Sequence, residues 1–278
     1  MTAPDGAEAQ GLQHQPMPRV DFRTPRIYVD DPLAAGRELP LERGAANHLV
    51  NVLRCRAGDA VLLFNGRDGE WRGEIAAAGK RATVFLHEQL RKQPPANDLH
   101  FLFAPLKHAR LDYLVQKAVE MGASLIQPVI TRHTQVARIN LARMRANVIE
   151  AAQQCGVLAL PEVAEPAAFA RARAIADAGR LLVFCDEEAD VKDPLAALQQ
   201  VRPAPSALLP AGGTRVGTPL AVLIGPEGGF AEEERAVLLK RANVVRLSLG
   251  PRILRADTAA VAALALVQAV LGDWRGGE

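Results

Sequence analysis

The stretch IGPEGGF, residues 224–230, follows an apolar run at 220–224 and leads into a helical segment that opens on Glu232, Glu233 and Glu234. Gly225, Gly228 and Gly229 permit positive φ and close backbone approach, Pro226 stiffens the turn, and a helix start offers unpaired N–H groups. A loop of this kind at the carboxyl edge of a parallel sheet is suited to gripping a small ligand. The three glutamates at the helix start, with Lys240 and Arg241 at its end, match the helix dipole. A second stretch, LSLGPRILRADT at 247–258, repeats the arrangement with a strand, a Gly-Pro turn, Arg252 and Arg255, and then a helix. Asp257 or Thr258 suffices to cap that helix. Local structure leaves the second Gly-Pro loop and its arginines unexplained, and two such loops at the mouths of neighbouring strands predict a ligand cleft.

Outward from these loops, residues 93–278 alternate strand and helix. Strands are predicted at 99–104, 125–130, 181–185, 220–224 and 244–247, and helices at 110–121, 141–155, 167–178 and 258–271. That rhythm predicts an α/β fold with a mostly parallel sheet covered by helices on both faces. Residues 202–219, rich in proline and glycine, read as a surface loop. Residues 19–92 differ in character. Short strands at 26–29, 60–64, 71–76 and 82–86, one helical stretch at 45–54 and the hairpin signals Asn65-Gly66 and Asp68-Gly69 predict a small β-barrel domain. The prolines of RKQPPAND at 91–98 mark the linker. Residues 1–18 are polar and aperiodic and predict a disordered tail.

With 278 residues, 49% of them hydrophobic and 23% charged, the chain carries ample core for two domains. The longest apolar run, 259–272, is too short to span a membrane, and the N-terminus lacks a basic start followed by an apolar run, so a cytoplasmic protein is expected. Cys55, Cys155 and Cys185 are widely spaced, which predicts reduced, mostly buried thiols. The six histidines show no metal-ligand spacing, so no metal is expected. Neither GxGxxG after the first strand of the α/β half, nor GxxxxGK[ST], HExxH or GxSxG is present, which removes the main support for dinucleotide, P-loop, zincin and α/β-hydrolase readings. Net charge is only +2, but 102–149 holds seven basic against two acidic residues and 150–200 four against nine. A basic segment beside an acidic one can orient a protein on nucleic acid, and ordinary solvated helix faces account for it equally well.

The two Gly-Pro motifs, together with QKAVEMGA at 116–123 and EAAQQC at 150–155, resemble the ribosomal small-subunit methyltransferase E family of the SPOUT superfamily. PRIYV at 25–29, AANHLVNVLR at 45–54 and the GDAVLLFNG hairpin at 58–66 extend the likeness into a PUA-like barrel. The resemblance implies a trefoil-knotted methyltransferase domain, a homodimer with active sites near the subunit interface, and methylation of N3 of a uridine in 16S rRNA of the 30S subunit. It places S-adenosylmethionine at Ile224, Gly225, Pro226, Glu227, Gly228 and Gly229, and at Leu247, Ser248, Leu249, Gly250, Arg252, Ile253 and Leu254. Two departures stand out. Gly156, Val157 and Leu158 occupy a stretch where the family commonly carries an arginine and an asparagine, and His133 stands where an arginine is common.

Uridine N3 lies on the Watson–Crick edge, so the base must be unpaired before it reacts. Arg252 and Arg255 are candidates to stabilise the uracil anion, and Glu227 and Asp257 to accept its proton. Arg26, Lys107, Arg110, Arg132 and His133 are candidates for RNA contact. Two other readings stay open at this point: a related methyltransferase acting on tRNA or another rRNA site, and a non-catalytic RNA-binding module of ribosome assembly.

Overall fold

The computed structural model describes residues 21–79, 81–136, 138–177, 179–189, 193–201 and 215–275. The expected tail at 1–18 and most of the 202–219 loop lie outside them. The N-terminal half is built from β1 (Arg26–Tyr28), β2 (Glu38–Pro40), α1 (Arg43–Asn47), which continues as a π-helical turn at His48–Val52, β3 (Ala60–Phe64), β4 (Glu70–Ala77) and β5 (Thr83–Arg91). These strands form one five-stranded sheet in the order β1-β3-β4-β5-β2. Its inward residues Val61, Leu63, Ile75, Val84 and Leu86 close on Leu49 from the helical turn and on Ile27 and Leu39 from the edges. At the β3–β4 turn a side chain on Gly69 would lie 2.2 Å from the Arg91 carbonyl oxygen, so only glycine fits.

The C-terminal half continues with β6 (Ala96–Phe103), α2 (His108–Glu120), β7 (Leu125–Ile130), α3 (Leu141–Cys155), β8 (Glu162–Val163), β9 (Ala167–Ala168), α4 (Arg173–Ala176), β10 (Leu181–Cys185), α5 (Pro194–Gln199), β11 (Arg215–Ile224), α6 (Glu232–Leu239), β12 (Val244–Leu247) and α7 (Ala256–Val270). The strands make a seven-stranded sheet in the order β12-β10-β11-β6-β7-β8, with β9 also on β7. Every pairing in it is parallel. Successive side chains of a strand point to opposite faces. Leu181, Val183, Leu220, Val222 and Ile224 therefore join the core under α2, α3 and α7, whereas Leu182, Phe184, Ala221 and Leu223 join Phe169, Ile175 and Leu238 on the other face. Both faces are covered, as the apolar runs of these strands require.

Two expectations are corrected. The helix predicted over 167–178 is instead β9, a 3-10 turn at Phe169–Arg171 and the four-residue α4. Ala167 and Ala168 pair with Val129 and Ile130, so ladder hydrogen bonds at the sheet edge override the helical propensity of an alanine-rich run. The strands that carry the two Gly-Pro loops are not neighbours either, because β10 lies between β11 and β12.

The halves meet at the C-terminal end of α3. Asn140 caps the start of this helix by accepting from the Arg143 N–H, and Gly156, at φ 75°, ends it in the left-handed conformation. Arg26 donates to the Gln153 carbonyl oxygen at 3.1 Å, Arg91 to the Gly156 carbonyl oxygen at 3.1 Å, and the Tyr28 N–H to Gln153 Oε1 at 2.9 Å. Two guanidinium groups thus sit where the helix dipole is negative. Leu158 is buried and Val157 packs on the same core, so the apolar departures line the seam between the halves.

Candidate functional site

Three adjacent strands, β12, β10 and β11, end at one edge of the sheet, and each runs into a loop that carries polar groups. Ile224 and Leu247 are the last buried residues of β11 and β12 and anchor the two Gly-Pro loops in the core. The glycines serve different purposes. A Cβ on Gly225 would come within 2.9 Å of the Phe230 ring, which packs on Phe169 and Phe184, so glycine here answers a packing demand and not a positive φ. Gly229 does use the left-handed region, at φ 70°, and its N–H donates to the Pro226 carbonyl oxygen at 2.9 Å. Gly250 has φ 98°, and a Cβ there would meet nothing within 4 Å. Beside it Ile253 is 95% exposed. The second loop therefore presents open backbone and an apolar side chain with almost no protein contact.

The loop after β10 was not singled out by the sequence reading. Asp186 is buried and receives Arg246 at 2.8 Å and Arg235 at 3.2 Å, while Arg235 also reaches Glu188 at 2.7 Å. This network ties the start of α6 and the strand β12 to the end of β10, and so fixes the spacing of the two Gly-Pro loops. Its sequence signal was the acidic run at 186–188 directly after an apolar strand.

A cleft of about 490 Å³ opens on the β11 side of this edge. Lys107 from the β6–α2 connection, Arg110 from the first turn of α2, His133 and Gln135 from the loop after β7, Glu227 from the first Gly-Pro loop and Arg255 line it. Arg110 is paired to Glu227 at 2.6 Å across the opening. His133 Nδ1 lies 3.2 Å from the Gly228 carbonyl oxygen and 3.1 Å from that of Gly229. Carbonyl oxygens only accept, so Nδ1 carries the hydrogen. The Arg132 N–H donates to Glu234 Oε1 at 2.8 Å, and Glu234 Oε2 accepts the Ala231 N–H at 3.0 Å at the start of α6.

The cleft thus gathers Pro226, Glu227 and Arg255 with Lys107, Arg110 and His133, which lie far apart in sequence. Arg252 is exposed on the second loop, and Asp257 lies in the first turn of α7, where it accepts the Thr258 N–H at 2.9 Å. Arg255 occupies the N-cap position of α7 through its backbone, so neither Asp257 nor Thr258 is the cap. Arg26 is corrected: its side chain is only 3% exposed and is bonded to Glu70, so it braces the interior and is not placed to meet a phosphate. Part of the basic segment is likewise engaged, with Arg143 on Asp112 and Lys117 on Glu120. Burial raises the thiols of Cys55 and Cys155, and that of Cys185 to about 12, so none of the three is a poised thiolate. Among the described residues no cluster of three or more His, Cys, Asp or Glu side chains could hold a metal, and no helix is long and apolar enough to cross a membrane.

A parallel α/β sheet with two Gly-Pro loops at one edge, joined to a small curled sheet, is the organisation of a two-part RNA methyltransferase. A family model described as an RNA methyltransferase domain matches residues 92–268, and one described as an RNA methyltransferase PUA domain matches 41–85. The chain is 31% identical over 245 residues to the ribosomal RNA small subunit methyltransferase E of Rickettsia conorii, covering 87% of this chain and 94% of that protein. The protein of the same name from Synechocystis is 28% identical over 228 residues, 81% of this chain and 71% of that one. Among solved structures, the small subunit methyltransferase E of Neisseria gonorrhoeae bound to S-adenosyl methionine superposes with a TM-score of 0.76 at 27% identity, over 90% of this chain and 99% of that one. A putative methyltransferase from Legionella pneumophila, also with bound SAM, gives 0.73 at 29% identity over the same shares. The chain belongs to the ribosomal RNA small subunit methyltransferase E family.

Proposed function

We propose that this chain transfers the methyl group of S-adenosylmethionine to N3 of a uridine in 16S rRNA of the small ribosomal subunit. The observation that carries the reading is the meeting of the first Gly-Pro loop with Arg255 and the basic side chains Lys107 and Arg110 around one cleft. The family to which the chain belongs supplies the class of reaction.

The methyl donor fits the residues present. Residues 224–229 and 247–254 would hold it through backbone groups, with the open backbone at Gly250 and the bare side chain of Ile253 against its nucleoside part. When bound, it supplies an electrophilic methyl group on a sulfonium. No covalent enzyme intermediate is needed, only an N3 lone pair held in line with the methyl carbon. The guanidinium groups of Arg255 and Arg252 are the donors for the uracil oxygens as negative charge develops. Glu227, held by Arg110, and Asp257 are the carboxylates at hand for the N3 proton.

Residues 19–92 form the RNA-gripping part and residues 93–278 the methyl-transfer part in this reading, with Lys107, Arg110, Arg132 and His133 facing the RNA. The trefoil knot, the homodimer and a cytoplasmic location belong to the same proposal; light scattering at micromolar concentration tests the dimer. The decisive experiment incubates 30S subunits lacking the modification with protein and S-adenosylmethionine and reads the rRNA nucleosides by mass spectrometry, with free 16S rRNA and tRNA alongside. The expected product is 3-methyluridine from 30S subunits. Methyl transfer to tRNA alone, or to no RNA, overturns the proposal.

A further inference from the structure

One side chain belongs to both the nucleotide cleft and the loop assigned to the methyl donor. His133 lines the cleft with Arg255 and Glu227. The same ring places Nδ1 within 3.2 Å of both the Gly228 and the Gly229 carbonyl oxygens. The loop that carries it is already stiff: the Thr131 N–H donates to Thr134 Oγ1 at 2.8 Å, and the two hydroxyl groups lie 2.9 Å apart. Glu234 fastens this loop to the start of α6 through the Arg132 and Ala231 N–H groups. His133 therefore stands on a fixed platform and reaches toward a turn made of two glycines.

A Gly-Gly peptide reorients at little steric cost because neither residue has a Cβ. A shared hydrogen bond to both carbonyl oxygens selects one orientation of each peptide plane. Because the peptide is planar and trans, holding the Gly229 oxygen turns the Phe230 N–H to the opposite side. We propose that His133 is the positioning residue that sets the Gly228–Gly229 turn for the methyl donor, and that it couples that turn to the nucleotide cleft. The inference rests on the reading of residues 224–229 as donor-binding. RNA that orders His133 from the cleft side lowers the cost of ordering the turn, and by linkage the donor tightens RNA binding by the same factor.

The test uses the full chain and measures S-adenosylmethionine affinity by calorimetry for the wild type, His133→Ala and His133→Asn. Asparagine keeps an N–H donor at a similar reach from Cβ and lacks the ring. His133→Ala is expected to weaken the donor about tenfold, the effect of one hydrogen bond, and His133→Asn to stay within about threefold of wild type. Affinity for unmodified 30S subunits is then compared with and without S-adenosylhomocysteine. The wild type is expected to show about fivefold coupling or more, and His133→Ala a factor near one. Wild-type donor affinity in His133→Ala overturns the positioning role, and 30S affinity that ignores S-adenosylhomocysteine in the wild type overturns the coupling. A wild-type chain that binds no S-adenosylmethionine is a different failure, because it removes the donor-site reading itself.

Discussion

Arg26 Nε and Glu70 Oε1 lie 2.6 Å apart with 3% and 2% of their side chains exposed, and Arg91 binds the same carboxylate from the other side at 2.7 Å. Both arginines continue to backbone oxygens at the end of α3. One buried glutamate therefore holds the two cations that join the halves. Removing a single partner from such a group leaves uncompensated buried charge, so Glu70→Gln is expected to lower stability by about 3–5 kcal/mol. Urea unfolding with the slope held common to both proteins checks the figure.

The pH dependence follows from the same site. Burial alone would raise the Glu70 carboxyl, but the hydrogen bonds and charges of Arg91 and Arg26 outweigh it and hold the group below its ordinary value of 4.5. The native state then binds fewer protons than the unfolded chain in acid, so stability rises with pH there. The contribution is complete above 4.5 and is lost as pH falls through the lower native value. The gap in urea midpoint between wild type and Glu70→Gln should narrow in that acid range and stay constant from pH 6 to pH 8; a gap that widens in acid contradicts the assignment.

Gly225 and Phe230 form a second pair. A methyl group on residue 225 must displace a ring that touches Phe169 and Phe184. Gly225→Ala is expected to cost about 1–3 kcal/mol. Combined with Phe230→Leu it should cost less than the sum of the two single changes, because the residues are in contact. Strict additivity in a double-mutant cycle would remove the explanation.

Gly250 and Gly36 separate strain from ligand contact. Both have positive φ, 98° and 76°, and at both a Cβ meets nothing within 4 Å. Alanine at either position is expected to cost about 1–2 kcal/mol of stability through the backbone alone. Only Gly250→Ala should also weaken S-adenosylmethionine binding, as read by calorimetry, because only that backbone lies in the loop proposed to hold the donor.

Arg255 lines the cleft without an ion-pair partner among the described residues. Replacing it with alanine should lower the single-turnover rate of methyl transfer about 10²-fold, the usual effect of removing one donor to a developing anion. S-adenosylmethionine affinity should change by less than about threefold. Loss of donor binding in step with rate would assign Arg255 to the donor site instead.

Much of this architecture was legible in residue order. The apolar runs at 60–64, 125–130, 181–185 and 244–247 and the helix at 141–155 lie where their patterns placed them, because each buries a continuous stripe or face. The 167–178 segment misled because four pairing residues at a sheet edge outweigh local propensity. Arg26 misled because an arginine beside an apolar strand has the same sequence signature whether it points to solvent or to a buried glutamate 44 positions away.

The sequence by itself determined the two-part organisation, the alternation that makes a parallel sheet, and the two Gly-Pro loops, since these depend on local periodicity and on glycine and proline geometry. Tertiary structure alone decided that β10 separates those loops, that Asp186 sets their spacing, and that His133 meets Gly228 and Gly229 from 95 and 96 residues away. Those relations depend on strand order and on contacts between distant segments. Residue order marks the acidic run at 186–188 but gives no local signal for the partners these groups meet, because the free energy that selects such contacts comes from burial and hydrogen bonding of the assembled chain.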